Sequence, residues 1–416
     1  MTARRGAGMI IMALGIAMLT GCTGSISPPP STPPASGAAT GAASAQSAAI
    51  ADMVRAQMTQ AHLKSAIVRV SVGGRDVIRE AFGESMTGVP ATVDMHFRNG
   101  AVAIQYVATL LLQLVDEKKL SLDDKLAKYL PDFPHAGEVT LGQLAQMTSG
   151  YPDYVLGNDA FTKASYDDVY RDWNPQEMLA FMSDQPLLYP PGTNWNYAHS
   201  DYVLLGQVLE KVTGMPLEQA IKKKMLDPLH LRGTVASQTA EIPEPVLHAF
   251  TSERRPYFGI PADVPFLEES TYWNPSWTLP RGAIETSTID DLHATAIAVG
   301  TGTLLSKQSY AAMTSTDLRG RTSALPGCAT CMAMDDTHTY GLGVWIAGHW
   351  LLQNPLFSGY AATEGYLPSQ KIAIAVAVTY DEAAFDPSGA YPNVASTLFR
   401  QIGGYLAPDD APPGAG

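Results

Sequence analysis

The sequence has few charges and few cysteines. Charged residues make up 16% of its 416 residues, against about a quarter in an ordinary soluble domain, whereas 46% are hydrophobic. The 40 acidic residues outnumber the 27 basic ones, so the net charge is −13, and no basic run follows the first residues. This charge argues against nucleic acid or anionic lipid as a partner. No cofactor is expected.

Long apolar runs are also scarce, and the one near the N-terminus is short. Residues 9–19 are apolar, follow Arg4 and Arg5, and lead into Leu-Thr-Gly and then Cys22. The run is too short to span a bilayer comfortably. Its ending resembles the lipobox of a bacterial lipoprotein signal, in which cleavage exposes the cysteine for lipidation. We predict a signal peptide at 1–21 and lipid on Cys22; an ordinary secretory signal or a short membrane anchor are the alternatives.

The stretch after Cys22 is mostly Ser, Pro, Gly, Ala and Thr. Such a composition cannot pack a core, so residues 22–47 are predicted to be a tether. Residues 48–408 are predicted to fold, and 409–416 to form a flexible tail. We therefore expect an exported protein, lipid-anchored at the outer face of the bacterial cytoplasmic membrane or elsewhere in the cell envelope.

Two further cysteines, Cys328 and Cys331, lie in one Gly-Cys-Ala-Thr-Cys stretch. In an oxidising exterior we predict that they form a disulfide. A zinc site that recruits His338 or His349 is a weak alternative, because it offers two ligands of uncertain placement, and no metal is predicted. A thioredoxin-like role is disfavoured, since no βαβ pattern surrounds the pair.

Apolar residues recur at three- and four-residue spacing between Ala101 and Lys118, which predicts a long, central, buried helix. Its lead-in, Phe-Arg-Asn-Gly at 97–100, resembles the segment before the Ser-x-x-Lys motif of the serine β-lactamase and penicillin-binding-protein family. The resemblance is to the branch of class C β-lactamases, D-aminopeptidases and esterases. Here Ala101 stands at the serine position and Ile104 at the lysine position.

The other two family motifs are also altered. Tyr197 matches the tyrosine of the Tyr-x-Asn motif, but His199 replaces its asparagine. The third motif, Lys-Thr-Gly or His-x-Gly, is followed in this branch by a Gly-Tyr pair. Aligning that pair to Gly359 and Tyr360 puts Gln-Asn-Pro, residues 353–355, at the triplet, where proline would interrupt an inner strand.

The resemblance implies an α+β fold, an α/β sandwich whose antiparallel sheet combines N- and C-terminal parts with an inserted all-helical region. We place the sheet parts at about 48–100 and 283–408, and the helical region at about 101–282. Local patterns agree with this arrangement. They predict the following elements: an opening helix at 48–60, a hairpin at 66–72 and 76–82, helices at 174–232, 283–299, 307–313 and 394–405, strands at 340–347, 356–364 and 371–379, and loops over the cleft at 250–280.

The substitutions favour a relative that does not hydrolyse its ligand. A methyl group cannot attack a carbonyl, and loss of a serine nucleophile costs on the order of a millionfold in turnover. Expected ligands are a cell-wall peptide, a small acylated molecule or an envelope protein. The alternative is an active esterase- or peptidase-like serine hydrolase whose nucleophile has moved to Ser149, Ser200 or Ser358. The predicted cleft-lining residues are Ser149, Tyr197, Ser200, Ser358, Gly359 and Tyr360.

Residues 199–201 spell His-Ser-Asp, the residue types of a catalytic triad. Adjacent residues do not form a triad with one another, because such constellations are spatial. We therefore do not expect this run to carry catalysis.

The predicted anchor can be tested directly. Replacing Cys22 with Ala should release the protein from the membrane fraction, because the lipid would be its only attachment. Fractionation of cells producing either form, followed by immunoblotting, measures this. If the variant still sediments with membranes after a high-salt wash, the anchor lies elsewhere.

Overall fold

Alternating apolar residues in the first and last parts of the chain form one sheet. The computed structural model describes residues 36–236 and 239–414, with side chains from residue 44. The predicted signal at 1–21 and lipidated Cys22 lie outside the described residues. The strands are β1 (Leu63–Val72), β2 (Arg75–Met86), β3 (Val89–Pro90), β4 (Phe97–Arg98), β5 (Val235–Ala236), β6 (Phe250–Thr251), β7 (Glu268–Glu269), β8 (Glu285–Ser287), β9 (His338–Tyr340), β10 (Trp345–Ala347), β11 (Trp350–Gln353), β12 (Leu356–Phe357), β13 (Tyr360–Leu367) and β14 (Ile372–Tyr380).

Nine of these strands form the main antiparallel sheet, in the order β3-β2-β1-β14-β13-β11-β10-β9, with β12 paired to β13. The N-terminal hairpin therefore pairs with the last strand of the chain, Val68 lying opposite Val376. This confirms the predicted sheet of N- and C-terminal parts. A three-stranded sheet, β4-β8-β5, and the pair β6-β7 complete the β structure of the described residues.

Ten α-helices lie in the described part of the chain. They are α1 (Ser36–Gln60), α2 (Val102–Asp116), α3 (Leu141–Ala145), α4 (Asp159–Asp167), α5 (Pro175–Leu179), α6 (His199–Thr213), α7 (Leu217–Ile221), α8 (Ile289–Thr301), α9 (Lys307–Met313) and α10 (Val394–Leu406). Helix α7 continues directly into a π-helical segment, Lys222–Leu226.

Both faces of the central strands are buried, each in a different core cluster. Val68 and Val376 belong to the core cluster that includes residues of α1 and α10. Ile67, Ala375 and Ala377 belong to the larger cluster that includes α2, α6 and α8. Because successive strand residues point to opposite faces, this alternation buries both sides of β1 and β14.

Helix α2 is the buried centre predicted from its spacing. Twelve of its 15 residues are buried, so it is enclosed on nearly every side. The Tyr106 hydroxyl lies 2.9 Å from Thr295 Oγ1 and so ties α2 to α8. Gly343, with φ +74°, lies so close that an added Cβ would come within 2.5 Å of Ala108 Cβ.

Several boundaries differ from the predictions. Helix α1 begins at Ser36, inside the predicted tether. The stretch Glu285–Ser287 is a strand rather than the start of a helix, because it pairs with both β4 and β5. The region 101–282 is not all helical, since it holds β5, β6 and β7. Strand β11 was not predicted.

The C-terminal residues are held against the sheet and α10. Pro408–Asp410 form a 3₁₀ turn, and the Asp410 carbonyl accepts a 2.8 Å hydrogen bond from the Trp350 indole. Pro412 lies against Gly403 of α10. The predicted flexible tail at 409–416 is therefore wrong for 409–414, the part that the structure describes.

Within residues 36–236 and 239–414, no helix has both the length and the apolarity that crossing a membrane requires.

Two glycines with similar backbone angles test the packing against α2. Gly74, in the β1–β2 turn, has φ +78° and nothing within 4 Å of an added Cβ, whereas Gly343 has φ +74° and is crowded. Gly74→Ala should lower the free energy of unfolding by about 1 kcal/mol through backbone strain alone. Gly343→Ala should cost about 3 kcal/mol, because overpacking adds to the same strain. Urea unfolding of both variants measures the difference; equal losses would show that α2 is not closely packed there.

Candidate functional site

A cleft of about 460 Å³ opens at the N-terminal end of α2. Segments from seven parts of the chain meet around it. Its lining residues are Gly100, Ala101, Val155, Leu156, Trp195, Tyr197, His199, Trp277, Thr278, Leu279, Ala329, Thr330, Cys331, Met332, Trp345, Gln353, Asn354, Pro355, Leu356 and Phe357. Among these described residues there is no Lys, Arg, Asp or Glu, so the lining is apolar apart from a few hydrogen-bonding groups.

Ala101 occupies the N-cap of α2 and presents a methyl group to the cleft. Gly100 precedes it with φ +50°, and an added Cβ there would lie 2.6 Å from Pro355 Cβ. Only glycine accommodates both the left-handed backbone and this approach. The close contact places the first and third motif segments side by side.

Ile104 lies one helical turn further on and faces the core. It is fully buried and does not line the cleft. It packs in the cluster with α6 and α8. The position where the family has a lysine is thus part of the hydrophobic core here.

Tyr197 lies at the cleft wall, as predicted from the second motif. Its backbone N–H donates to the Thr330 carbonyl at 3.2 Å, and its ring lies 5.1 Å from that of His199 in an edge-on arrangement. Burial raises the pKa of the Tyr197 phenol well above its ordinary value. The phenol therefore stays protonated at neutral pH and can donate a hydrogen bond.

His199 is held by Asp153, a partner that sequence reasoning missed. His199 Nδ1 lies 3.0 Å from both carboxylate oxygens of Asp153. Asp153 also accepts from the backbone N–H groups of His199 and Leu156, each at 3.0 Å. A carboxylate that accepts from Nδ1 fixes the proton on that nitrogen. Nε2 is then the ring nitrogen available to a ligand in the cleft.

The His-Ser-Asp run makes three separate contacts. His199 pairs with Asp153, the Ser200 hydroxyl donates to the Pro152 carbonyl at 2.6 Å, and Asp201 accepts from Ser149 Oγ at 2.6 Å. Burial raises the pKa of Asp201 well above its ordinary value. As expected, the run does not form a triad.

Most of the predicted cleft-lining residues lie elsewhere. Ser149 and Ser200 are fully buried, and Ser358 is 7% exposed in a left-handed turn with φ +49°. Gly359 packs against the Phe250 backbone, and the Tyr360 hydroxyl donates to the Leu247 carbonyl at 2.6 Å. Of the six residues, Tyr197 alone lines the cavity. The prediction is wrong for the other five, because burial turns their polar groups toward the backbone or other side chains.

A serine–histidine contact occurs elsewhere in the molecule. Ser71 Oγ lies 2.9 Å from His293 Nε2, between β1 and α8. Both residues are buried, 3% and 4% exposed, and neither lines a cavity found among the described residues. Burial lowers the pKa of His293 to about 4. A substrate cannot reach this pair, so we assign it a structural role.

The third-motif segment does reach the cleft. Gln353 ends β11, Asn354 and Pro355 follow outside the strand, and all three line the cavity. Gln353 Nε2 donates to the Gly343 carbonyl at 2.9 Å, which ties the segment to the loop beside α2. No cation stands at these three positions. Behind them, burial raises the pKa of Glu364, the partner of Gln353 in the β11–β13 ladder, to about 8.

Tryptophans form much of the cleft wall and were not predicted as a group. The rings of Trp195 and Trp345 lie 5.1 Å apart, and Trp277 packs edge-on against Phe357 at 6.3 Å. Trp277 comes from the segment 250–280, which was predicted to loop over the cleft. Trp195 lies in an irregular segment, Trp277 ends a 3₁₀ turn and Trp345 begins β10, so no sequence periodicity connects them.

The predicted disulfide is present, joining Cys328 and Cys331. Its loop forms one rim of the cleft, because Ala329 to Met332 line the cavity. Cys331 also forms an isolated bridge with Asn196, next to Tyr197. No group of three or more His, Cys, Asp or Glu side chains in 36–236 and 239–414 could hold a metal ion.

Comparison with known proteins places this geometry in context. A family model described as "Beta-lactamase" matches residues 50–399. The chain is 32% identical over 196 residues to "Penicillin-binding protein 4" of Amycolatopsis lactamdurans, covering 45% of this chain and 48% of that protein. It is 31% identical over 201 residues to "Esterase EstB" of Burkholderia gladioli, covering 45% and 51%. It thus spans about half the length of these curated relatives.

Among solved structures, a D-amino acid amidase from Ochrobactrum anthropi SV3, complexed with L-phenylalanine amide, has a TM-score of 0.70 with this chain. The sequence identity is 19%, and the match covers 88% of this chain and 99% of that one. At this identity the likeness shows a shared fold.

Restoring a cation at position 104 should damage the fold. Ile104→Lys would put an unpaired charge in the core and lower the free energy of unfolding by about 3 kcal/mol or more. Ile104→Met conserves volume and should cost less than about 1.5 kcal/mol. Denaturant unfolding of the two variants distinguishes charge from shape. A lysine variant as stable as the methionine one would mean that position 104 has access to water or to a counter-ion.

Proposed function

The chain belongs to the β-lactamase family, and on this premise we propose that it is an envelope protein that binds its ligand without hydrolysing it. The observation that carries the proposal is Ala101 at the floor of an open cleft. The family reaction needs a hydroxyl that attacks a carbonyl and a base that takes its proton. Ala101 offers no hydroxyl, and Ile104 is turned into the core.

The surroundings of Ala101 support the same conclusion. The serines proposed as relocated nucleophiles, Ser149, Ser200 and Ser358, do not line the cleft. The hydroxyl of Thr278, which does line it, donates to the Pro275 carbonyl at 2.8 Å. The predicted alternative, a serine hydrolase with a relocated nucleophile, therefore has no supporting contact.

The cleft itself is suited to binding. Its volume of about 460 Å³ lies within the usual range of ligand sites, roughly 300–1,000 Å³. Aromatic walls from Trp195, Trp277 and Trp345 favour an aromatic or acyl group, and Tyr197 and His199 add two hydrogen-bonding groups. We propose an acylated small molecule or an acylated cell-wall peptide as the ligand, which agrees with the name of the penicillin-binding relative. An envelope protein that presents such a group is a further candidate partner.

The proposed location follows from the N-terminal sequence. The lipobox-like stretch before Cys22 supports export and attachment of the folded part to the membrane through lipid. This would hold the cleft outside the cytoplasm, where cell-wall peptides occur.

The absence of acyl transfer can be tested on the purified protein. We expect no hydrolysis of a chromogenic cephalosporin and no mass increase after incubation with penicillin, because Ala101 supplies no nucleophile. Spectrophotometry and intact mass spectrometry measure the two. An acyl adduct mapped to any serine would contradict the proposal. If the protein hydrolyses the cephalosporin without forming an adduct, and His199→Ala abolishes this hydrolysis, then the Asp153–His199 pair activates water.

Ligand binding can be measured separately by the fluorescence of the cleft tryptophans. Titration with an N-acylated D-alanyl dipeptide should change the emission of the wild-type protein. The change should shrink in Trp277→Phe, which lines the cleft, and persist in Trp173→Phe, a buried tryptophan that does not. No response, or an equal response in both variants, would argue against the cleft as the binding site for this ligand class.

A further inference from the structure

A second cavity lies beside α10, away from Ala101. It measures about 240 Å³ and is bounded by the edge strands β9 to β11, by α10 and by the C-terminal prolines Pro412 and Pro413. We call it the α10 pocket. Its apolar walls come from Ala347, Leu352 and Phe399. Of the three motif segments it includes only Asn354, and its interpretation does not depend on what the cleft binds.

One cation lines this pocket. Arg400 projects from α10, and its closest described hydrogen-bond partner is Thr397 Oγ1, at 3.5 Å and therefore weak. None of the ion pairs among the described residues involves Arg400. Burial lowers the pKa of the Arg400 guanidinium, which remains charged at neutral pH. A partly buried guanidinium without a carboxylate partner favours an anion from solution.

The one acidic residue of the pocket is engaged by its own loop. Asp335 Oδ1 accepts from the Thr337 backbone N–H at 2.7 Å, from the Thr337 hydroxyl at 2.6 Å and from the His338 N–H at 3.0 Å. These bonds lower the pKa of Asp335 and turn its charge toward the exposed loop. Burial lowers the pKa of His338, so that ring is neutral at pH 7. Arg400 is then the available charge of the pocket.

The remaining polar groups can support a small head group. Thr363 Oγ1 and Ser396 Oγ lie 2.9 Å apart, and both side chains line the pocket. The volume of about 240 Å³ leaves room for a small ligand. Together the features describe one charged end and an apolar body.

We propose that the α10 pocket binds a small organic monocarboxylate, with Arg400 pairing its carboxylate and Leu352, Ala347 and Phe399 enclosing its apolar part. A planar guanidinium matches a carboxylate with two parallel hydrogen bonds, a geometry that a lysine does not reproduce. The bound anion would supply the counter-charge that Arg400 lacks among the described residues.

The α10 pocket is also adjacent to the cleft. Both cavities are lined by Met332, Trp345 and Asn354. The Trp345 ring lies 4.9 Å from Tyr340 and 5.1 Å from Trp195, the latter a cleft residue. A ligand in the α10 pocket therefore touches a side chain that also forms the cleft wall.

Benzoate is a suitable probe, and calorimetry of the purified protein measures its affinity. Charge-assisted pairing predicts that Arg400→Gln weakens benzoate binding roughly tenfold to a hundredfold. Arg400→Lys should fall between Arg400→Gln and wild type, and benzamide, which lacks the charge, should bind wild type as weakly as benzoate binds Arg400→Gln. The control Arg75→Gln alters an exposed arginine at the start of β2 and should bind like wild type.

Location and folding are checked separately. In a ¹H–¹⁵N spectrum, benzoate should shift the indole signal of Trp345, and this shift should disappear in Arg400→Gln. A shift of Trp277, which lines only the cleft, would report separate binding there and should persist in Arg400→Gln. Unfolding midpoints verify that the Arg400 variants fold; if Arg400→Gln does not, the Arg400→Lys and benzamide comparisons carry the test. Equal affinity of Arg400→Gln and wild type, a shift at Trp277 alone, or tighter binding of inorganic phosphate than of benzoate would overturn the proposal.

Discussion

The enclosure of α2 is the constraint on which the rest of the molecule depends. Its buried faces meet α6, α7, α8 and α9, and its N-terminal residue Ala101 lies at the floor of the cleft. Because the orientation of the helix is fixed, Ala101 lines the cavity, whereas Ile104, three residues further on, packs in the core. The close approach of Gly343 to Ala108 shows how little freedom the helix has. The residue at the motif lysine position, Ile104, is therefore part of the core packing of the domain.

What remains around Ala101 is a binding surface with few reactive groups. The Asp153–His199 pair and the Tyr197 phenol supply hydrogen bonds, and the tryptophans supply apolar area. The disulfide loop closes one rim and is tied to the strand segment at Tyr197 through the Thr330 carbonyl. A preformed rim of this kind lowers the entropy that a ligand must remove on binding. The proposed binding role rests on these features.

The cleft and the α10 pocket are neighbouring cavities with common lining residues. Trp345 belongs to both, and it packs against residues of both core clusters. Ordered residues 409–414 help to form the second cavity, which a free tail would have left open. Two neighbouring sites of different chemistry, one aromatic and uncharged and one with a cation, are the result. Met332, Trp345 and Asn354 line both cavities and form the wall between them.

The sequence by itself determined the elements whose signals are local. The spacing in α2, the alternation in β1, and the altered motif positions Ala101 and Ile104 were all readable along the chain, and so was the cysteine pair. The tertiary structure decided what depends on distant contacts. Glu285–Ser287 became a strand because it pairs with β4 and β5, and His199 gained Asp153 from 46 residues away. Ser149 and Ser200 are buried and do not line the cleft, and no local sequence pattern predicts the burial of a single serine.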